Sequence, residues 1–141
     1  MEKNDLELDN YLGQFDYGKN LKIEKLINEI NRVWDYYKLD NRKNFAELDL
    51  NKFYSHPVWI LNGIFSKHDR NSIVHREAIA KYIKKYYQND FLNLKIADFG
   101  GGSGVLAEKI IEINNKSVSK IDIIEPWPFK YFKNQFENNN I

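Results

Sequence analysis

The chain has 141 residues, the length of one ordinary domain, and its 43% apolar and 15% aromatic content is enough for a packed core. Its 21 basic and 20 acidic residues leave a formal net charge of +1, which argues against a nucleic-acid binder driven by bulk electrostatics. Cysteine is absent, so disulfides and thiolate metal sites are excluded.

The opening run Met1-Glu2-Lys3-Asn4-Asp5-Leu6-Glu7 is acidic and lacks an apolar centre, so it is not a signal peptide. No stretch approaches the length of a transmembrane span. A cytoplasmic protein without membrane or nucleic-acid partners is expected. Residues 1–20 mix acids, Asn and Gly with little periodicity and read as a loose N-terminal arm. Ile23, Leu26, Ile27, Ile30, Val33, Trp34 and Tyr37 then recur at helical spacing, predicting a helix from about Leu21 to Leu39. Asp40-Asn41-Arg42-Lys43-Asn44 breaks that pattern.

Ser55-His56-Pro57 looks like a helix start, with Pro57 at the first helical position, where a missing N–H is harmless. Trp59, Ile60, Ile64 and Phe65 continue that helix. His68-Asp69-Arg70-Asn71 is a polar break, with Asn71 or Ser72 as the cap of a further helix. Val74, Ala78, Ile79, Tyr82, Ile83 and Tyr86 give that helix its stripe. Lys81, Lys84 and Lys85 read as its solvated face.

The pattern changes at Leu94. Lys95-Ile96-Ala97-Asp98-Phe99 is a short, mostly apolar run ending in glycines, as expected of a buried parallel strand. Leu106, Ala107, Ile110, Ile111 and Ile113 restore a helical stripe. Ile121-Asp122-Ile123-Ile124-Glu125 is a second strand, stopped by Pro126, and Trp127 to Phe136 could open another helix. Strand, glycine turn, helix and strand together make one βαβ unit.

Gly100, Gly102 and Gly104 allow a ligand to approach the backbone closely, because they carry no Cβ. Glu125 ends the second strand 21 residues after Gly104, where a carboxylate can accept two ribose hydroxyl bonds. A dinucleotide reading needs G-x-G-x-x-G, and its last glycine would fall on Val105, so the match is imperfect. A P-loop needs Lys followed by Ser or Thr after its last glycine, and Val105-Leu106 supplies neither. Asp98-Phe99-Gly100 also spells the magnesium motif of kinases. That reading is rejected, since Glu77 and Tyr82 would stand where the catalytic Asp and the metal-binding Asn belong.

The run Asp98-Phe99-Gly100-Gly101-Gly102-Ser103-Gly104 resembles the first motif of class I S-adenosylmethionine-dependent methyltransferases, of form acidic-x-Gly-x-Gly-x-Gly. The resemblance covers about Leu94 to Phe136. It implies a Rossmann-like α/β fold in which a βαβ start follows an N-terminal helical cap, with S-adenosyl-L-methionine as cofactor. Asp98 would lie near the cofactor's methionine end, Glu125 would bind the ribose hydroxyls, and Pro126 and Trp127 would flank the adenine. The implied organisation is a loose arm (1–20), a helical lead-in (21–90) and a partial cofactor-binding domain (91–141).

The family's sheet has seven strands, and only its first two are visible here. A chain truncated after the second strand is therefore expected, completed by a second polypeptide or by a copy of itself. The segment His56 to Phe65, with Ser72 to Ile83, resembles the helical lead-in of some bacterial methyltransferases, some of which act on sugars. The implied function is methyl transfer to a small-molecule or saccharide acceptor, or the cofactor-binding part of such an enzyme. Two alternatives stay open: a non-catalytic partner subunit with a degenerate fold, and a dinucleotide-binding oxidoreductase. No catalytic base is identified. His75 reads as a core or cofactor-edge residue, His56 as a helix-start residue and His68 as part of a solvated loop. Their spacing forms no metal site.

Overall fold

The structure, a computed structural model, describes residues 3–44, 47–87, 94–114 and 118–132. It is mixed α/β and mostly helical. In chain order it contains α1 (Lys3–Gly13), a 3₁₀ turn (Asp16–Gly18), α2 (Ile23–Tyr36), α3 (Glu47–Tyr54), α4 (Val58–His68), α5 (Arg70–Tyr86), β1 (Leu94–Phe99), α6 (Val105–Asn114) and β2 (Val118–Ile124). Among the described residues, no helix is long and apolar enough to cross a membrane. The chain divides into two compact units, residues 1–65 and 66–141.

In the first unit, the stripe of α2 buries Leu26 and Val33, as its 3.6-residue spacing predicts. Val33 joins Leu39, Phe53 and Val58 in a core edged by Trp34, Tyr37, Tyr54 and Trp59. The Trp34 and Trp59 rings meet Phe53 edge-on at centroid distances of 5.1 and 5.4 Å, the geometry that aromatic quadrupoles favour. Helix α3 has no counterpart in the sequence reading. Two turns are too short to show a period, and the helix depends on burying Phe53.

The expected loose arm is also corrected, because Lys3–Gly13 is helical. A polar cluster ties it down. Tyr11 Oη donates to Glu29 Oε1 at 2.8 Å, and Arg32 donates to both oxygens of Glu29 at 2.7 Å. Leu12 is buried beside this cluster in sequence. The Arg32 bonds hold the Glu29 carboxyl below its usual range, while burial and the bond to Glu29 raise the Tyr11 phenol. No apolar period betrays this attachment, which joins the Tyr11–Glu29 bond to a Tyr11 ring packed on the core and a single buried leucine, Leu12.

His56 closes the start of α4. Its Nδ1 accepts the Val58 N–H at 3.1 Å, and its ring meets Tyr11 edge-on at 5.3 Å. The Pro57 carbonyl accepts the N–H groups of Ile60 and Leu61, so the proline sits just ahead of the first helical residue.

In the second unit, the cap of α5 is Asp69, whose carboxylate accepts the Ser72 N–H at 2.8 Å; Asn71 and Ser72, the expected caps, lie inside the helix. Helices α5 and α6 pack together, and Ala80, Ala107, Ile110 and Ile121 form the buried centre. The alanines let the two helix backbones approach closely. Asn114 Nδ2 donates to the Ala80 carbonyl at 3.2 Å and fastens the end of α6 to α5. Helix α5 thus belongs with the βαβ unit, and the compact units divide at residue 65, whereas the sequence reading drew a break at residue 90.

Strands β1 and β2 are parallel, with Ile96 opposite Ile121, Asp98 opposite Ile123 and Phe99 opposite Ile124. The first was expected to be a buried strand. In the structure only one face is covered, and Phe99 and Ile124 on the other are 77% and 43% exposed. Of the helix expected from Trp127 to Phe136, residues 130–132 are helical, and residues 133–136 lie outside the described residues.

Burial pulls the His56 imidazole below its usual value of 6.5, against the attraction of Glu29 and with the help of Arg32. A depressed histidine binds its proton more readily in the unfolded chain, so its contribution to stability is complete above about pH 6.5 and is lost as pH falls below it. The urea midpoint, followed by tryptophan fluorescence, should drop between roughly pH 7.5 and 5.5. His56→Asn, which keeps a side-chain acceptor but does not titrate, should drop less. Equal drops in both proteins would rule out His56 as the titrating group.

Candidate functional site

The site begins where β1 runs out. Gly100 N–H donates to the Ile124 carbonyl at 2.9 Å, extending the ladder by one bond. The chain then turns sharply. Gly100, Gly102 and Gly104 have φ of 69°, 53° and 68°, values that other residues adopt only with strain. Gly104 N–H donates to the Gly101 carbonyl at 2.8 Å, and the Gly104 carbonyl receives Glu108 N–H at 2.9 Å, which starts α6.

Gly101 is required for a different reason, since its φ is ordinary. A Cβ there would stand 2.7 Å from Asp98 Oδ2 and 3.0 Å from Ile123 Cγ2. The turn passes close over the Asp98 carboxylate, so a Cβ at Gly101 would force that side chain to shift. Asp98 Oδ2 is buried and has no hydrogen-bond partner among the described residues. Burial raises the carboxyl above its usual range, and the positive charge of Arg76 opposes that shift.

Glu125, the residue after β2, braces the turn from the other side. Its Oε2 accepts the Gly102 N–H at 3.0 Å and its Oε1 accepts the Trp127 N–H at 3.1 Å. Each oxygen keeps acceptor capacity, because a carboxylate oxygen carries two lone pairs.

A cavity of about 200 Å³ opens between α5 and the turn. Asp98, Gly100, Gly101 and Ser103, four of the residues the sequence motif singles out, line it. Its far wall is His75, Arg76 and Ile79 of α5. Arg76 Nη1 donates to the Ser72 carbonyl at 3.1 Å, which fixes the guanidinium at the helix surface. Val105 and Leu106, the first residues of α6, close the floor and bring that helix's positive amino end to the cavity.

The other expected residues lie elsewhere. Phe99 sits on the exposed sheet face, since strand alternation sends it away from Asp98. Gly104 is buried at the foot of α6, while Pro126 is exposed and Trp127 half-buried. Gly102, Gly104, Glu125, Pro126 and Trp127 do not line the cavity. His75 is an exposed rim residue and not a core one. Arg76 is the residue the sequence reading missed. Its signal was faint: one cation three residues before Ile79, on the helix preceding the glycine motif.

Among the described residues, no group of three or more His, Cys, Asp or Glu could hold a metal ion. A second cavity, of about 250 Å³, adjoins Arg76 on its other side, where the Lys67–Glu108 and Lys109–Glu112 ion pairs line it. Chemically, the first cavity offers one carboxylate, one guanidinium, an imidazole, a hydroxyl and a helix amino end. No protein-family profile, curated protein or solved structure matches the chain.

Gly101→Ala should destabilise the fold by about 1–3 kcal/mol in urea denaturation, the usual cost of overpacking. If the clash with Asp98 is the cause, Asp98→Ala in the same chain should recover most of the loss. Strict additivity of the two changes would refute the steric account.

Proposed function

We propose that this chain binds S-adenosylmethionine at the glycine turn and acts as a methyltransferase, or as the cofactor-binding part of one, on a small-molecule or sugar acceptor. One observation carries the proposal: a glycine turn wrapped over a buried, unpartnered carboxylate, Asp98 Oδ2, beside a cavity. A buried acceptor without a donor costs about 1–3 kcal/mol, and a cationic ligand removes that cost. The residues present fit the cofactor, whose methionine end carries an ammonium and a sulfonium. When bound, it supplies a methyl group already activated for transfer.

The chain's own part is positioning. Asp98 attracts the cationic end. The Cβ-free turn allows close approach of the backbone, and Glu125, with lone pairs to spare on both oxygens, can accept ribose hydroxyls. His75, exposed at the cavity rim, can take a proton from an oxygen acceptor. The pyrophosphate of a dinucleotide would bring negative charge to the same Asp98 carboxylate, which disfavours an oxidoreductase. The exposed face bearing Phe99 and Ile124 supports a second reading, in which the chain works as one subunit beside another copy or chain.

Calorimetric titration with S-adenosylhomocysteine tests the first reading, with NADH and Asp98→Ala as controls. Saturable binding of S-adenosylhomocysteine, weaker by about tenfold or more in Asp98→Ala, is expected. NADH should not bind. Failure of the folded protein to bind would defeat the cofactor reading, and a monodisperse monomer by sedimentation would defeat pairing with a second copy.

A further inference from the structure

The second cavity, of about 250 Å³, shares Arg76 and Val105 with the first, and Lys67, Ile73, Glu108, Lys109 and Glu112 complete its lining. Three cations therefore meet two carboxylates in one small space. Both carboxylates are taken. Lys67 Nζ holds Glu108 Oε1 at 2.9 Å, and Lys109 Nζ holds Glu112 Oε2 at 2.5 Å. Arg76 is the cation left over. Its Nη1 donates to the Ser72 carbonyl, a neutral acceptor, and among the described residues the guanidinium makes no ion pair. Asp98 senses that charge from the first cavity, but burial favours the neutral form of its carboxyl.

A guanidinium carries further N–H donors in a planar fork that matches the oxygens of a carboxylate or phosphate two at a time. Ile73 and Val105 make part of the lining apolar, and Arg76 is half-buried, where an unpaired charge costs more than at the surface. The Lys67 and Lys109 side chains are 25% and 21% exposed, which limits the screening of their charges by salt. Val105, the first residue of α6, brings that helix's positive amino end to the same cavity. Water occupies about 30 Å³ per molecule, so the space admits a small anionic group in place of several waters.

We infer that the second cavity is a binding site for a small oxyanion, the phosphate or carboxylate group of a ligand, with Arg76 as its principal donor. Lys67 and Lys109 flank that anion while still holding their own carboxylates. The inference does not depend on the cofactor reading, since Asp98 and the glycines take no part in it.

Calorimetric titration with inorganic phosphate and, separately, with acetate at fixed ionic strength tests it. The wild-type protein should bind at least one of them saturably at a single site. Tighter phosphate binding would mark the ligand as a phosphoester, and tighter acetate binding as a carboxylic acid. Arg76→Met should weaken the preferred anion by about tenfold or more, the value of a hydrogen bond between charged groups. Glu112→Gln, at a carboxylate 66% exposed, should tighten it by about threefold, because a negative charge is removed and Lys109 is released. Lys81→Met, which deletes an exposed cation of α5 outside the cavity, should change nothing. Circular dichroism checks that each variant is folded. Absence of saturable binding of both anions by the wild type would overturn the inference. Unmoved affinity in folded Glu112→Gln would do the same, since the anion would then sit outside this cavity. Equal weakening by Lys81→Met and Arg76→Met would reduce the binding to diffuse attraction by a basic helix and overturn it as well.

Discussion

The second unit is organised around a carboxylate that has nowhere to go. Asp98 is fixed in direction by its register opposite Ile123, and the turn after β1 crosses above it so closely that a Cβ at Gly101 would displace the carboxylate. That crossing explains why Gly101 is glycine despite an ordinary φ, whereas Gly100, Gly102 and Gly104 are glycines because of their left-handed φ. It also leaves Oδ2 buried and unpartnered, a local penalty that the rest of the unit must offset. The offset comes from the α5–α6 seam, where Ala80, Ala107, Ile110 and Ile121 are buried. Strain at the turn is therefore carried by packing on the covered side of the sheet, and the Glu125 carboxylate keeps the turn from opening on the other.

The same packing explains why the sheet is one-sided. Helices α5 and α6 pack with the face that bears Ile96, Ile121 and Ile123. The opposite face has Lys95 beside Lys120, Ala97 beside Asp122 and Phe99 beside Ile124. Its inner end is charged and its outer end, next to the glycine turn, is apolar. A charged row tolerates water, so the strands persist with one face open. The apolar row at Phe99 and Ile124 is where a covering element would gain most.

Much of the second unit was legible because its signals are local. A six-residue apolar strand, a glycine turn and a helical stripe are each read within a dozen residues, and β1, α6 and β2 fall where those patterns put them. The cavity was half legible. Asp98, Gly100, Gly101 and Ser103 belong to the motif, but Arg76 comes from α5, more than twenty residues upstream, and reaches the cavity only through the Ala80–Ala107 packing. Nothing in the spacing of His75-Arg76-Glu77 distinguishes a cation turned toward a site from one on a solvated face. The unit boundary was missed for the same reason. Helix α5 looks like its helical predecessors in periodicity, and Ala80, buried with Ala107 of α6, is what marks its packing on α6. In the first unit, Tyr11 holds α1 through one carboxylate, Glu29, and no hydrophobic pattern announces that bond.

Charge order, more than shape, separates the ligands this cavity can accept. A helix amino end beside a glycine turn is by itself a good anion site, and on that ground alone a phosphate would be welcome. Asp98 changes the sign at one wall, since a phosphate held at the turn would face a carboxylate that no donor neutralises. The Arg76 charge offsets that repulsion only in part, since it opposes the effect of burial on Asp98 while its guanidinium bonds the Ser72 carbonyl. A cationic group meets that carboxylate with its opposite charge and leaves it compensated. On the proposed reading, then, the glycines make the approach possible, and the Asp98 carboxylate favours a cationic group over a phosphate.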